Sequence, residues 1–182
     1  TQALLDLYTI REVRGRIEGL TVGIVGDIAH SRVARSNIWG LTKLGAKVML
    51  VGPTTLMPRA IEKMGVKGVE VCHDMDHAIR ECDVLNMLRI QFERQGQSNP
   101  FPSIREYKQM FGLSAERLAR GNPDLTIMHP GPVNRGIELS PEVAAGPQSV
   151  PPKPVDNAPA LRRAVVQLAA GADAHPTRRT YN

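Results

Sequence analysis

A chain of 182 residues, 42% of them hydrophobic and 23% charged, can bury a full core as one domain without disulfide or metal staples. The composition excludes a disordered or fibrous chain, and no apolar run approaches the roughly 18–20 residues of a membrane span. The opening TQALLDLYTIRE lacks a basic region followed by an apolar stretch, so no membrane partner and no signal peptide of its own are expected. The net charge of +5 comes from 23 Lys and Arg against 18 Asp and Glu, with 17 arginines spread along the chain, no run of five or more basic residues and only 4% aromatics. That pattern argues against nucleic acid as a partner and suits small anionic substrates, because guanidinium groups grip carboxylates and phosphates in pairs of hydrogen bonds. Two cysteines, Cys72 and Cys82, make no disulfide framework, which points to a reducing, cytoplasmic setting.

Leu4, Leu5, Tyr8 and Val13 stand at helical spacing and predict an amphipathic helix over residues 1–13. A chain that opens inside a helix is expected to be cut from a longer parent. TVGIVG (21–26) reads as a strand, and Ser31 to Leu44 as a helix with Val33, Ile38, Leu41 and Leu44 inward. KVMLV (47–51) is the next strand, a short helix is expected near Pro58–Met64, and GVEVC (68–72) is the third strand. A helix opened by Asp74 or Asp76 leads to the strand DVLNML (83–88). The polar loop RIQFERQGQSNPFP that follows exceeds the usual connection of about 4–6 residues, and loops of such length commonly carry function. Ser103 and Glu106 form a capping-box pattern, a short helix covers Ser114–Arg120, and LTIM (125–128) is the fifth strand. Pro147, Pro151, Pro152, Pro154 and Pro159 crowd a stretch read as a non-helical linker, before a last helix marked by Ala160, Leu161, Ala164, Val165 and Leu168. Nearly uninterrupted apolar strands alternating with helices predict an α/β fold: an open, doubly wound parallel sheet of about five strands with helices on both faces, Rossmann-like in arrangement.

In such sheets ligands bind beyond the carboxyl ends of the strands. Three polar clusters fall there: Gly26–Arg32, Arg89–Gln91 and His129–Pro132. The first does not fit a dinucleotide fingerprint, because Gly23 and Gly26 are wrongly spaced and Val51-Gly52 ends the second strand without an acidic residue for a ribose. Arg32, at the start of a helix, joins the helix dipole in favouring an anion. Cys72, His73, His77 and Cys82 invite a zinc test, yet no paired C-x-x-C occurs, so core cysteines and surface histidines are the reading. No covalent nucleophile stands out, and neither a metal nor a cofactor is expected.

TQALLDLYTI, GDIAHSRVARSN, MLRIQFERQ, FPSIREYKQMFGL and HPGPVNRGIE, in this order, resemble the catalytic chain of bacterial aspartate carbamoyltransferases, specifically its carboxyl-terminal half. The resemblance runs from Thr1 to about Ser140. It implies an interdomain helix over 1–13, an aspartate-binding α/β domain over 14–150, and a Pro-rich linker with a C-terminal helix over 151–182. It also implies that a carbamoyl phosphate domain is missing from this chain and that the intact enzyme is a homotrimer. By position, Arg32, Arg89 and Gln91 match the groups that hold aspartate. Pro130, Gly131 and Pro132 match the loop whose carbonyls face the attacking amine, and Gln2 matches the glutamine that contacts the carbamoyl group. The implied partners are therefore L-aspartate and, through the missing domain, carbamoyl phosphate. After Ser149 the likeness weakens, with Pro159 and Arg163 standing where the family differs.

Two other readings stay open. Ornithine carbamoyltransferase shares the fold, but its Asp-x-x-x-Ser-Met-Gly and His-Cys-Leu-Pro loops do not occur here, and Arg89 would repel a cationic amine substrate. A non-catalytic module that binds a small acid is the other.

Overall fold

The computed structural model describes residues 1–58, 66–90, 103–130, 134, 136–150 and 157–170. The sheet is parallel throughout, with strands β1 (Thr21–Val25), β2 (Lys47–Val51), β3 (Val69–Cys72), β4 (Val84–Met87), β5 (Thr126–Met128) and β6 (Ser149–Val150) in the order β3-β2-β1-β4-β5-β6. The sixth strand is one more than the sequence suggests: Ser149 pairs with Ile127 and Val150 with Met128, in a stretch whose flanking prolines hide a two-residue strand.

Side chains alternate across the pleat, so each strand feeds two cores. Val22, Ile24, Val48 and Leu50 face the layer made by α1 (Gln2–Arg14) and α2 (Arg32–Lys43). Val25, Met49, Val51, Leu85 and Met87 face the layer that holds α3 (Met75–Glu81), α4 (Ile104–Phe111) and α6 (Pro141–Ala144). The remaining helices are the single turn α5 (Ala115–Leu118) and α7 (Asn157–Ala169), which packs beside α1.

Helices start where the sequence places them. Ser31 accepts from the N–H of Ala34, Asp74 from those of Asp76 and His77, and Ser114 from that of Arg117. Ser103 and Glu106 close the full reciprocal box that satisfies two otherwise orphaned donors. The expected helix near Pro58–Met64 lies largely outside the described residues, which instead include a 3-10 turn at Thr54–Leu56.

Two helix faces differ from expectation. In α1 the inward residues are Ala3, Leu5, Asp6, Leu7 and Ile10, whereas Leu4, Tyr8 and Val13 are exposed. Asp6 breaks the apolar stripe and so disguises it. Leu7 settles against Gly40 of α2, where an added Cβ would come within 2.8 Å of its Cδ1. In α2, Ala34, Asn37, Ile38 and Leu41 are buried, and Leu44 points to solvent instead. Pro159 does not interrupt the last helix but sits in its first turn, where a missing N–H leaves no bond unmade. Among the described side chains of α7, Leu161 and Val165 are half-buried and the rest exposed.

Gly23 of β1 pairs with Leu85 of β4: a Cβ there would come within 2.4 Å of Leu85 Cδ2 and 3.0 Å of Cys82 Sγ, both fully buried. Gly23→Ala should therefore lower unfolding free energy by about 1–3 kcal/mol, the usual cost of overpacking a close-packed core. Urea unfolding checks this, and adding Leu85→Val to the same chain should recover part of the loss because the two sites share the space.

Candidate functional site

Strand order reverses direction between β1 and β4: the chain moves outward through β2 and β3, then returns beside β1. Loops leaving neighbouring strands on opposite sides part there and open a crevice at the carboxyl ends. Beyond β1, Gly26 turns the chain with φ 126, and its N–H donates to Val51 O. A Cβ on Gly52 would sit 2.8 Å from Gly26 O, so the loops after β1 and β2 touch backbone to backbone. Asp27 is buried; its Oδ1 accepts from the backbone N–H of His30 and lies 2.9 Å from His30 Nδ1. This closes the turn that delivers Ser31 as cap and the exposed Arg32 as the first helical residue.

Beyond β4, Leu88 N–H bonds to Val25 O, Arg89 is half-buried and Ile90 is fully buried. Beyond β5, His129 is buried and Pro130 half-buried. Gln91, Gly131 and Pro132 lie outside the described residues.

Two buried carboxylates that sequence reasoning passes over organise this end of the sheet. Glu138 is fully buried; its Oε1 accepts from Ile90 N–H at 2.9 Å and from Asn134 Nδ2 at 2.8 Å, while Oε2 accepts from Asn134 N–H at 3.0 Å. Asn134 Nδ2 also donates to Ile90 O at 3.1 Å. The loops after β4 and β5 are thereby tied together. Burial raises the Glu138 carboxyl above its ordinary range against the lowering pull of these bonds. Tyr107, fully buried on α4, lies under the same loops, its hydroxyl 3.5 Å from where a Cβ on Gly26 would stand. Burial, then Glu138 and then Asp27, all push that phenol up, which leaves it neutral.

Asp6 is the second. Its Oδ2 accepts from Asn37 Nδ2 at 2.7 Å and Asn86 Nδ2 at 3.2 Å, and its Oδ1 from Gln2 Nε2 at 2.9 Å. Desolvation raises Asp6 in spite of these donors. At the other end of α1, Arg14 donates to Asp124 O and lies 3.5 Å from Asp83. Position 14 thus meets Asp83 and position 6 meets Asn86, so α1 runs antiparallel to β4. Gln2, one turn further on, is carried toward the Arg89 end. A signal for these residues is present in the sequence: Asp6 in LLDLY, Asn86 in VLNML and Glu138 in GIEL are single polar residues inside apolar runs.

The cysteine and histidine group is dispersed. Cys82 is buried with Sγ 3.9 Å from Met49 Sδ and its thiol pushed up to about 12 by burial, whereas His73 Nδ1 lies 2.7 Å from Gly52 O and His77 is exposed. Among the described residues no group of three or more His, Cys, Asp and Glu could hold a metal ion, and no helix is long and apolar enough to cross a membrane.

Burial pushes the His129 imidazole down from 6.5 to about 4, so at neutral pH the ring bears no charge. Its folded value lies below its unfolded value, hence the stability it contributes is fully present above 6.5 and is lost as pH falls from 6.5 toward 4. Across that window the unaltered chain should lose about 3 kcal/mol more than His129→Gln, at 1.36 kcal/mol for each pKa unit. Denaturant melts in steps of pH check this, and parallel profiles for the two chains would refute it.

The domain matches the family profile described as aspartate/ornithine carbamoyltransferase, Asp/Orn binding domain, over residues 18–169. It is 59% identical over 171 residues to the aspartate carbamoyltransferase catalytic subunit of Halothermothrix orenii, covering 94% of this chain and 53% of that one. The subunit of the same name from Pelotomaculum thermopropionicum is 54% identical, with 94% and 54% covered. Among solved structures, ornithine carbamoyltransferase from Pyrococcus furiosus superposes with a TM-score of 0.74 at 29% identity, covering 92% of this chain and 55% of the other. Trypanosoma cruzi aspartate transcarbamoylase in complex with N-(phosphonacetyl)-L-aspartic acid superposes with a TM-score of 0.70 at 31% identity, covering 81% and 48%. The chain spans about half the length of the curated relatives it matches. A parallel sheet in this strand order, with a profile match across most of its length, places the chain in the aspartate/ornithine carbamoyltransferase family, as its Asp/Orn-binding domain.

Proposed function

We propose that this chain is the aspartate-binding half of an aspartate carbamoyltransferase, which transfers the carbamoyl group of carbamoyl phosphate to the amine of L-aspartate. The observation that carries this reading is the half-buried Arg89 directly beyond a fully buried strand, in the crevice whose other wall opens α2 with Arg32. Two cations at a strand end and a helix start suit a dicarboxylate and oppose the cationic side chain of ornithine. The relatives' names agree: those at 59% and 54% identity are aspartate carbamoyltransferase catalytic subunits.

In this reading Arg32, Arg89 and Gln91 hold the two carboxylates and so aim the amine. The amine lone pair forms the new C–N bond to the carbamoyl carbon, the C–O bond breaks with its electron pair going to the departing phosphate, and the proton shed by nitrogen is taken up by that phosphate. The carbonyls of Pro130, Gly131 and Pro132 face the amine and the carbamoyl NH2, and Gln2 reaches the carbamoyl group from α1. Positioning a neutral amine against a polarised carbonyl supplies much of the rate without a covalent enzyme intermediate. The phosphate clamp belongs to the other half of the enzyme. The whole is a cytoplasmic homotrimer serving pyrimidine biosynthesis, with residues 1–13 as the interdomain helix.

On its own the chain should form no carbamoyl aspartate from carbamoyl phosphate and L-aspartate. Joined to the amino-terminal half of the Halothermothrix orenii subunit, it should do so. In that fusion Arg89→Ala should lower kcat/KM for aspartate by about 30-fold to several thousand-fold, the usual effect of truncating one member of a desolvated charge pair. Arg80→Ala, at an exposed position of α3, should be nearly silent. Equal behaviour of the two variants would sink the assignment of the β4 loop as the aspartate clamp.

A further inference from the structure

The loops after β4 and β5 leave the sheet separately, and nothing in strand pairing fixes the distance between their tips. β5 ends at Met128, β4 ends at Met87, and their last paired residues are Asn86 and Met128. Among the described residues, two side chains join the loops further out, those of Glu138 and Asn134. Glu138 reaches from the segment before α6 and accepts from the backbone of Ile90 with one oxygen and the backbone of Asn134 with the other. Asn134 closes the arrangement by donating to both Ile90 O and Glu138 Oε1. Ile90 lies between Arg89 and Gln91, and Asn134 follows Pro130–Pro132 by two residues. We propose that Glu138 is a positioning residue for the amine substrate: with Asn134 it sets the spacing between the loop that holds the aspartate carboxylates and the loop that faces its amine.

A carboxylate is suited to this because it is acceptor-only and can serve two N–H groups on separate oxygens. An apolar residue of the same size would leave the N–H of Ile90 and that of Asn134 without this partner. The bond from Ile90 is buried and those of Asn134 are half-buried, so they hold a fixed geometry better than exposed contacts would. The role rests on the dicarboxylate reading above, since it concerns the loop that carries Arg89.

The test uses the 15N-labelled chain titrated with L-aspartate and followed by its amide resonances, with thermal unfolding measured on the same samples. Glu138→Ala should weaken aspartate binding by about 10- to 100-fold, the scale on which a displacement of about 1 Å degrades a positioned group. Glu138→Gln, which keeps one acceptor oxygen for Ile90, should fall between. Leu125→Ala, a fully buried residue at the opposite end of β5, serves as the stability-matched control and should bind as the unaltered chain does. If Glu138→Ala does not fold, Asn134→Ala removes only the two side-chain bonds and should still weaken binding. Equal weakening by Glu138→Ala and Leu125→Ala would overturn the proposal, as would unchanged binding in both the Glu138 and Asn134 variants. Absence of saturable binding by the unaltered chain would overturn the dicarboxylate reading first and this role with it.

Discussion

A parallel sheet buried on both faces leaves little room for chemistry within itself. Every residue from Val84 to Met87 is buried, and β1 and β2 are covered on both sides by helices drawn from opposite layers. Backbone polar groups are consumed by the ladder, and side chains by two apolar cores. Polar function is thereby driven to the strand ends, where the ladder stops and loops take over. The crossover between β1 and β4 decides which end and which pair of strands, because only there do successive loops diverge. Arg32 and Arg89 stand on the two sides of that division.

Within this frame the organising groups are carboxyls held below the surface. Asp6 joins α1, α2 and β4 through three amide side chains, and Glu138 joins the loops after β4 and β5 through main-chain N–H groups. Both are raised by desolvation. A buried carboxylate is therefore tolerated for its geometry more than for its net energy, since its desolvation opposes the bonds it makes. Raised folded values also mean that each of these two groups favours the native state more as pH falls from its folded value toward the ordinary carboxylate range. His129 works in the opposite direction over a partly shared window.

Much of the architecture was readable without coordinates, because its signals are local. Ser103 and Glu106 form the expected capping box, Asp74 opens its helix, helices begin at Ser31 and Ser114 as read, and the apolar runs at 21–26, 47–51, 68–72, 83–88 and 125–128 contain β1 to β5. What failed was local in form but tertiary in cause. The inward face of α1 carries Asp6, whose partners are 31 and 80 residues away, so the helix looks amphipathic about the wrong stripe. β6 is too short to show a period, and only pairing with β5 makes it a strand. Of the site, Arg32, Arg89 and Pro130 fall at strand and helix ends where the sequence puts them, whereas Glu138 and Asn134 were missed because their meaning lies in the backbone of Ile90.

The bond between Gln2 and Asp6 also settles a question of polarity. A primary amide can offer either a donor or an acceptor by turning half a revolution, and nothing in a glutamine's own structure chooses between them. Asp6 spends Oδ2 on Asn37 and Asn86 and leaves Oδ1 as an acceptor, so the NH2 end of Gln2 is the one drawn toward it. The carbonyl oxygen is the end that Asp6 does not use. A group with two faces is thus reduced to one, and the choice is made by a residue one helical turn away.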